Sequence, residues 1–350
     1  MAKRRQFLNA ALGSIAIGLF PNIFYGQKSR TGTAPKIIPK RLKKGDTIGL
    51  IAPGYAVKRE TLEEAKSTLV RMGFVPYHTE RILGKYGYFS APDMERAVDL
   101  NEMFTNPKID GILCARGGYG CTRIMEMINY ENIKSNPKVF IGFSDVTALL
   151  NGIYQETGLV TFHGPVGSTL NDPYTIGHLQ QVVMHPKNKL VIENVILTDE
   201  NLRENVEYDR YKISSGSATG KLVGGSLTLV NALVGTPWEI DFTDAIVCLE
   251  DIDEQPYRID RMLTQLLEGK TFNKAAGVAF GVCAGCNTST NPDSFSLKEV
   301  IMDRIKPMQI PAVYGMSFGH IGNNFTFPIG MDATLDTEKM TIQLLGKAAL

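Results

Sequence analysis

Between residues 46 and 150, short apolar runs ending in glycine turns alternate with longer amphipathic segments, and this alternation restricts the fold more than any other feature of the chain. Asp46 to Gly54, Phe74 to Tyr77, Asp110 to Arg116 and Val139 to Ile141 read as strands, mostly continuous apolar runs of the kind that sit buried. Thr61 to Met72 carries Leu62, Ala65, Leu69 and Met72 at helical spacing and is closed by Gly73. Pro92 to Phe104 is a second amphipathic helix, and another is expected from about Thr122. Strands and helices alternating at this interval imply a mainly parallel sheet covered on both faces, because a parallel pair needs a crossover and the crossover is usually a helix. Ligands of such sheets bind beyond the carboxyl ends of the strands. Two segments are expected on that edge: Arg116-Gly117-Gly118-Tyr119-Gly120, and Gly142-Phe143-Ser144-Asp145.

The second segment is the sharper of the two. A strand that turns abruptly into a helix at a serine holds the hydroxyl out of the sheet, beside free N–H groups of a helix N-terminus that can stabilise an oxyanion. The G-x-S-x-G nucleophile elbow works this way. Here Val146 stands where the second glycine would be, so the motif itself is incomplete, and the plain alternative is that Ser144 caps a core helix. Asp145 falls in the first helical turn, where the dipole favours a carboxylate.

A serine nucleophile needs a base. Of the five histidines, His78, His178 and His185 lie in polar segments and read as surface residues, and His163 in Phe162-His163-Gly164-Pro165 reads as a structural hydrogen-bonding residue. His320 lies in a glycine-flanked turn just beyond a strand, the kind of rigidly held loop where catalytic residues concentrate, although backbone hydrogen bonding is the plainer role for it. The imidazole needs a carboxylate to set its tautomer. Glu250 ends the apolar run Ala245 to Glu250, where carboxylates are rare, and Asp251, Asp253 and Glu254 are neighbours that could serve instead. The glycine turn at 116–120 lacks the Walker lysine and the G-x-G-x-x-G spacing, which speaks against nucleotide binding; Gly117 and Gly118 could instead offer an N–H to an oxyanion.

The amino terminus reads as an address. Residues 3–5 are basic, Ala10 to Phe20 is apolar but short for a bilayer span, and paired arginines followed by x-Phe-Leu resemble a twin-arginine export signal over residues 1–26. Residues 27–40 read as a linker. Export would bring five cysteines, Cys114, Cys121, Cys248, Cys283 and Cys286, into an oxidising compartment. Cys283 and Cys286 have redox or half-zinc spacing, but no second pair completes a metal site, so buried thiols or a local disulfide are expected and no metal or cofactor. A net charge of +1 gives no reason to expect nucleic acid. The 350 residues suggest two domains: residues 41–168 with the parallel sheet, a connection over 169–216, and a second unit over 217–345. On these features alone an exported solute-binding protein, two α/β lobes around a cleft, is the rival to an enzyme.

Taken in order, Gly45 to Pro53, Ala115 to Gly120, Gly142 to Asp145, Phe162 to Pro165, Gly220 to Gly225, Leu249 to Asp251 with Pro256 to Arg258, and Phe318 to His320 resemble the LD-carboxypeptidases. These are serine peptidases whose group also contains the microcin-immunity peptidases. The resemblance runs over roughly residues 41–340. It implies Ser144 as nucleophile, Glu250 as acid and His320 as base, with Gly118 and Asp145 as oxyanion donors. It also implies an α/β fold, a Rossmann-like amino-terminal domain followed by a β-rich α/β carboxy-terminal domain, with the site at their junction. The implied reaction is release of a terminal D-alanine from a murein tetrapeptide, with no membrane anchor on the mature form and a homodimer as the family's habit. Arg116 and Arg258 are available to hold the substrate carboxylate. Ser226 departs from the asparagine expected after the paired glycines. An immunity-type enzyme acting on peptidyl-nucleotides would need an aromatic stacking surface, of which Trp238, the single tryptophan, gives no sign.

Overall fold

A computed structural model of the chain describes residues 35–350. The leader expected over residues 1–26 and most of the linker lie outside the described residues. The last residues of that linker are tied down: Ile37 donates to the Gly158 carbonyl at 2.8 Å and accepts from Val160 at 2.9 Å.

The alternating segments build a six-stranded sheet. Its first five strands are β1 (Thr47–Ile51), β2 (Val75–Tyr77), β3 (Gly111–Cys114), β4 (Val139–Gly142) and β5 (Thr161–His163), ordered β5-β4-β3-β1-β2 and all parallel. β1, β3, β4 and β5 are almost wholly buried, as continuous apolar runs require. Three main helices connect them: α1 (Arg59–Arg71), α2 (Asp93–Thr105), and, after the short helices α3 (Cys121–Ile124) and α4 (Tyr130–Ser135), α5 (Thr147–Thr157). The helix expected from Thr122 is therefore one turn long, and α4 was not anticipated. Its signal was the Asn129 side chain, which caps it by accepting from the Asn132 N–H.

A second, eight-stranded sheet follows: β6 (Leu190–Ile192), β7 (Tyr211–Ser214), β8 (Ser217–Ser226), β9 (Ala245–Glu250), β10 (Gly277–Val282), β11 (Ala312–Gly319), and the hairpin strands β13 (Asp332–Asp336) and β14 (Thr341–Leu344). β8, β9, β10 and β11 run parallel through its centre, and the remaining pairs are antiparallel. β6 and β7 come from the stretch expected as a connection. Helices α6 (Pro173–Val183), α7 (Glu200–Glu204), α8 (Leu227–Ala232), α9 (Pro256–Leu267) and α10 (Leu297–Ile305) complete the chain. His178, expected on the surface, is buried on α6 with its ring 4.5 Å from that of Tyr174, because the helix turns this face toward Phe325.

One strand breaks the order of sequence. β12 (Phe327–Ile329) leaves the second sheet and pairs antiparallel with β5, so the segment between β11 and β12, which contains His320, crosses from one sheet to the other. A single contiguous core joins Phe140 and Leu149 of the first sheet's layer to Leu249 and Phe280 of the second. Among the described residues no helix is long and apolar enough to cross a membrane.

Candidate active site

At the end of β4 the backbone turns at Ser144, whose φ of +60° lies in the left-handed region that side chains with a Cβ rarely adopt. Two glycines make room for the turn. A Cβ on Gly142 would lie 2.7 Å from the Val146 Cγ1, and a Cβ on Gly117 would lie 2.9 Å from the Ser144 Cβ and 3.2 Å from its Oγ. Val146 in place of the elbow's second glycine is accommodated because Gly142 yields the space. Ser144 caps nothing: the one-turn helix Ser144–Val146 starts from Phe143, and α5 from Val146, neither with a side-chain cap.

The hydroxyl goes elsewhere. His320 Nε2 lies 2.9 Å from Ser144 Oγ, and His320 Nδ1 lies 2.7 Å from Glu250 Oε2. The tautomer that satisfies both contacts carries its proton on Nδ1, which donates to the carboxylate, and Nε2 accepts from the serine hydroxyl. Glu250 ends β9 with its side chain fully buried, Ser144 is half-buried, and the His320 side chain is 15 % exposed. Of the four carboxylates left open by the sequence, only Glu250 reaches the imidazole. Asp251 instead accepts from the backbone N–H and the hydroxyl of Thr228 at 2.8 and 2.9 Å.

Electrostatics follow from this burial. Burial works against the Glu250 anion, yet His320 and His163 outweigh it and hold its carboxyl well below the usual range. Burial likewise works against the His320 cation, but the Glu250 carboxylate, with Asp251 and Asp253 farther out, raises its pKa above the ordinary histidine value. Asp251 is pushed up to about 7 by burial and then by the Glu250 charge.

The glycine turn lies against the serine, since Gly117 meets it as described above. Gly118 is exposed with φ +107°, and among the described residues its N–H has no hydrogen-bond acceptor. Asp145 sits in the first turn of a helix, where N–H groups lack intrahelical partners; its buried carboxylate accepts from the Cys121 N–H at 2.8 Å. The two arginines are not drawn in. Arg116 is exposed over the Tyr55 ring at 5.5 Å, and Arg258 is exposed on α9, over Tyr257 and 3.6 Å from Glu254. Neither makes a hydrogen bond or ion pair with Ser144, Glu250 or His320.

The sequence reading passed over the groups that hold these parts in register. Asn151 on α5 donates to the Gly224 carbonyl at 2.8 Å and accepts from the Gly224 N–H at 3.1 Å, and Thr147 Oγ1 accepts from the Ser226 N–H at 3.1 Å. They fasten the helix behind Ser144 to β8, whose Ser226 is the ladder partner of Glu250. Asn151 after Leu149-Leu150 was the available signal, a polar residue in an apolar helix. The His320 loop is pinned by Thr175, which donates to the Gly322 carbonyl and accepts from the Asn324 N–H, both at 3.0 Å. All five cysteines are buried free thiols, Cys283 and Cys286 included. Among the described residues no group of three or more His, Cys, Asp or Glu side chains is arranged to hold a metal ion.

Comparison with known proteins agrees with this architecture. Residues 48–164 match the LD-carboxypeptidase N-terminal domain and residues 219–335 the LD-carboxypeptidase C-terminal domain. The chain is 38% identical over 303 residues to the "Probable murein peptide carboxypeptidase" of Bacillus subtilis, covering 87% of this chain and 92% of that protein. It is 27% identical to the murein tetrapeptide carboxypeptidase of Pseudomonas aeruginosa, over 84% of this chain and 94% of the relative. Among solved structures, an MccF-like protein from Bacillus anthracis superposes with a TM-score of 0.79 at 30% identity, over 89% of this chain and 99% of the other.

Proposed function

The chain belongs to the LD-carboxypeptidase family, and from that premise we propose that it is a serine-type L,D-carboxypeptidase releasing terminal D-alanine from murein tetrapeptides through Ser144, His320 and Glu250. The observation that carries the proposal is the continuous relay from Ser144 Oγ to His320 Nε2 at 2.9 Å and from His320 Nδ1 to Glu250 Oε2 at 2.7 Å, with the serine on a left-handed turn. Residues 41–168 supply the nucleophile, and residues 217–345 the acid and base.

In this reading the serine hydroxyl attacks the carbonyl carbon of the bond between the L-centre and D-alanine while its proton passes to His320 Nε2. The imidazolium is stabilised by Glu250, and the oxyanion by the N–H groups of Gly118 and Asp145. Collapse breaks the C–N bond, His320 returns the proton to the leaving D-alanine amine, and Ser144 is left as an ester. Water, deprotonated by the same imidazole, hydrolyses that ester and frees the tripeptide. Arg116 and Arg258 are both candidates for the substrate carboxylate; Arg258 is engaged by Glu254 and Tyr257, and Arg116 donates to the Ala56 carbonyl at 3.4 Å. Export through the leader of residues 1–26 belongs to the same proposal and is tested by locating the protein in fractionated cells.

Incubating murein tetrapeptide with wild type and with Ser144→Ala, and measuring free D-alanine, tests the mechanism. We expect kcat to fall by at least about 10⁴-fold in the variant. Equal release by the two proteins removes the serine from the reaction. A specific observation favours a second substrate reading. Tyr88 and Tyr119 are exposed, their rings 6.0 Å apart, beside Tyr55, which a Cβ on Gly118 would strike, so an aromatic surface does border the glycine turn. Cleavage of a peptidyl-nucleotide with no turnover of the tetrapeptide would move the assignment to an immunity-type peptidase with the same chemistry.

A further inference from the structure

Glu250 has two carboxylate oxygens, and the relay to Ser144 uses only one of them. Oε2 receives the His320 contact; Oε1 is buried and, among the described residues, has no hydrogen-bond partner. Besides His320, the basic group beside Oε1 is the ring of His163, whose Nε2 lies 3.8 Å away, and both nitrogens of that ring are likewise buried without partners. Both side chains have 0% exposure.

The surroundings of His163 are mostly aromatic. It closes β5, paired with Gly142 of β4 on one side and Phe327 of β12 on the other. Its ring stacks on Phe327 with centroids 4.5 Å apart and planes 17° apart, and the rings of Phe143 and Phe318 stand at 5.9 and 6.1 Å. For packing alone a box of three phenylalanines would take an apolar side chain, since a buried ring nitrogen without a partner is destabilising. Nε2 and the unpartnered Oε1 are 3.8 Å apart, and closing the gap by roughly 0.6 Å brings them within hydrogen-bond range. Contacts of this kind often tighten only when substrate is bound.

We propose that His163 is a positioning residue for Glu250: as the neutral Nε2–H tautomer it donates to Oε1, so that the carboxylate is held from the first sheet while it orients His320 from the second. This rests on the reading of Ser144, Glu250 and His320 as the catalytic group. With donors on both oxygens the carboxylate cannot swing away from His320 Nδ1, and it stays ionised as the imidazolium forms. The titratable groups around the pair are His320 just beyond β11, Asp251 just beyond β9, Asp253 in the same loop and Cys283 after β10. Burial lowers the His163 pKa against the pull of Glu250, which favours the neutral ring.

The test compares wild type, His163→Phe and His163→Gln on whichever substrate the wild type turns over. The glutamine amide places a donor near the position of Nε2. His163→Phe should lose between about 10- and 100-fold in kcat with KM changed less than about twofold. Its acidic limb should move to higher pH, because the carboxylate charge that holds the His320 cation is no longer shared. His163→Gln should recover most of the loss. Wild-type kcat and pH profile in His163→Phe, or a glutamine variant as impaired as phenylalanine, would overturn the proposal. ¹⁵N NMR of the wild type does not depend on a variant folding. The expected signature is an Nε2–H His163 that does not titrate between about pH 5 and 8, and an Nδ1–H or titrating ring contradicts it. An active Ser144→Ala would remove the catalytic reading on which this rests, whereas an inactive Ser144→Ala beside a normal His163→Phe would remove this inference alone.

Discussion

If His320 is the proposed base, chemistry and stability pull on it in opposite directions. Its folded pKa is raised, so the imidazolium stabilises the native state fully below the unfolded value of about 6.5, and that contribution disappears as pH rises through the folded value. In the proposed mechanism activity needs the neutral ring and therefore appears over the same interval in which this stability is lost. The expected kcat/KM profile of the free enzyme has its acidic limb above pH ~6.5. Asp251 titrates at about 7 and could be mistaken for it, so the profile should be repeated with Asp251→Asn. If the limb belongs to His320 it survives that substitution, displaced slightly downward because one carboxylate has gone. A limb at or below the ordinary histidine value contradicts the geometry, since a buried carboxylate 2.7 Å from Nδ1 must favour the cation.

At the scale of the element, the β4–α5 turn works because two glycines, Gly142 and Gly117, leave room for it. A methyl on Gly142 collides with the β-branched Val146, whose χ1 is restricted, so the collision is not relieved by a rotamer change. Gly142→Ala should destabilise the fold by about 1–3 kcal/mol. Val146→Ala in the same chain should recover part of that loss, because the two positions share one contact. Urea denaturation of the single and double variants measures both. An unchanged midpoint for Gly142→Ala would show that the turn is looser than the contact implies. The same reasoning explains how a valine can occupy the position the nucleophile-elbow pattern reserves for glycine: the pattern specifies free space, and here one glycine supplies it.

At the scale of the whole molecule, the site exists only because two sheets are locked together. Asn151 is the lock, with both ends of its amide on the backbone of Gly224. Asn151→Leu leaves a buried N–H and a buried carbonyl unpaired and should cost about 1–3 kcal/mol for each. It should also lower kcat more than it raises KM, because the helix behind Ser144 is freed relative to the strand that carries Glu250. Denaturation and steady-state kinetics on the same preparation check this. A destabilised variant with full kcat would mean that β12, which also joins the sheets, is sufficient to hold the register.

Much of this molecule was legible along the chain. Apolar runs, helical spacing and glycine turns determined four strands of the first sheet, β1 to β4, since those signals are local; β5 and β12 were not read as strands. Ser144, Glu250 and His320 each stood out as a residue type in an unexpected place: a serine at a strand end, a carboxylate closing an apolar run, a histidine between glycines. What failed to show was non-local. α4 was too short to have a period, β7 was too polar to be told from a loop, and His178 looked exposed because the helix face it occupies is chosen by Phe325, far along the chain. The sequence alone determined the longer elements of the first sheet's layers and which side chains could do chemistry. Tertiary structure alone decided which carboxylate reaches the imidazole and that His163 lies beside its free oxygen, because hydrogen bonds of about 3 Å depend on how two sheets are packed and no spacing within one segment encodes that distance.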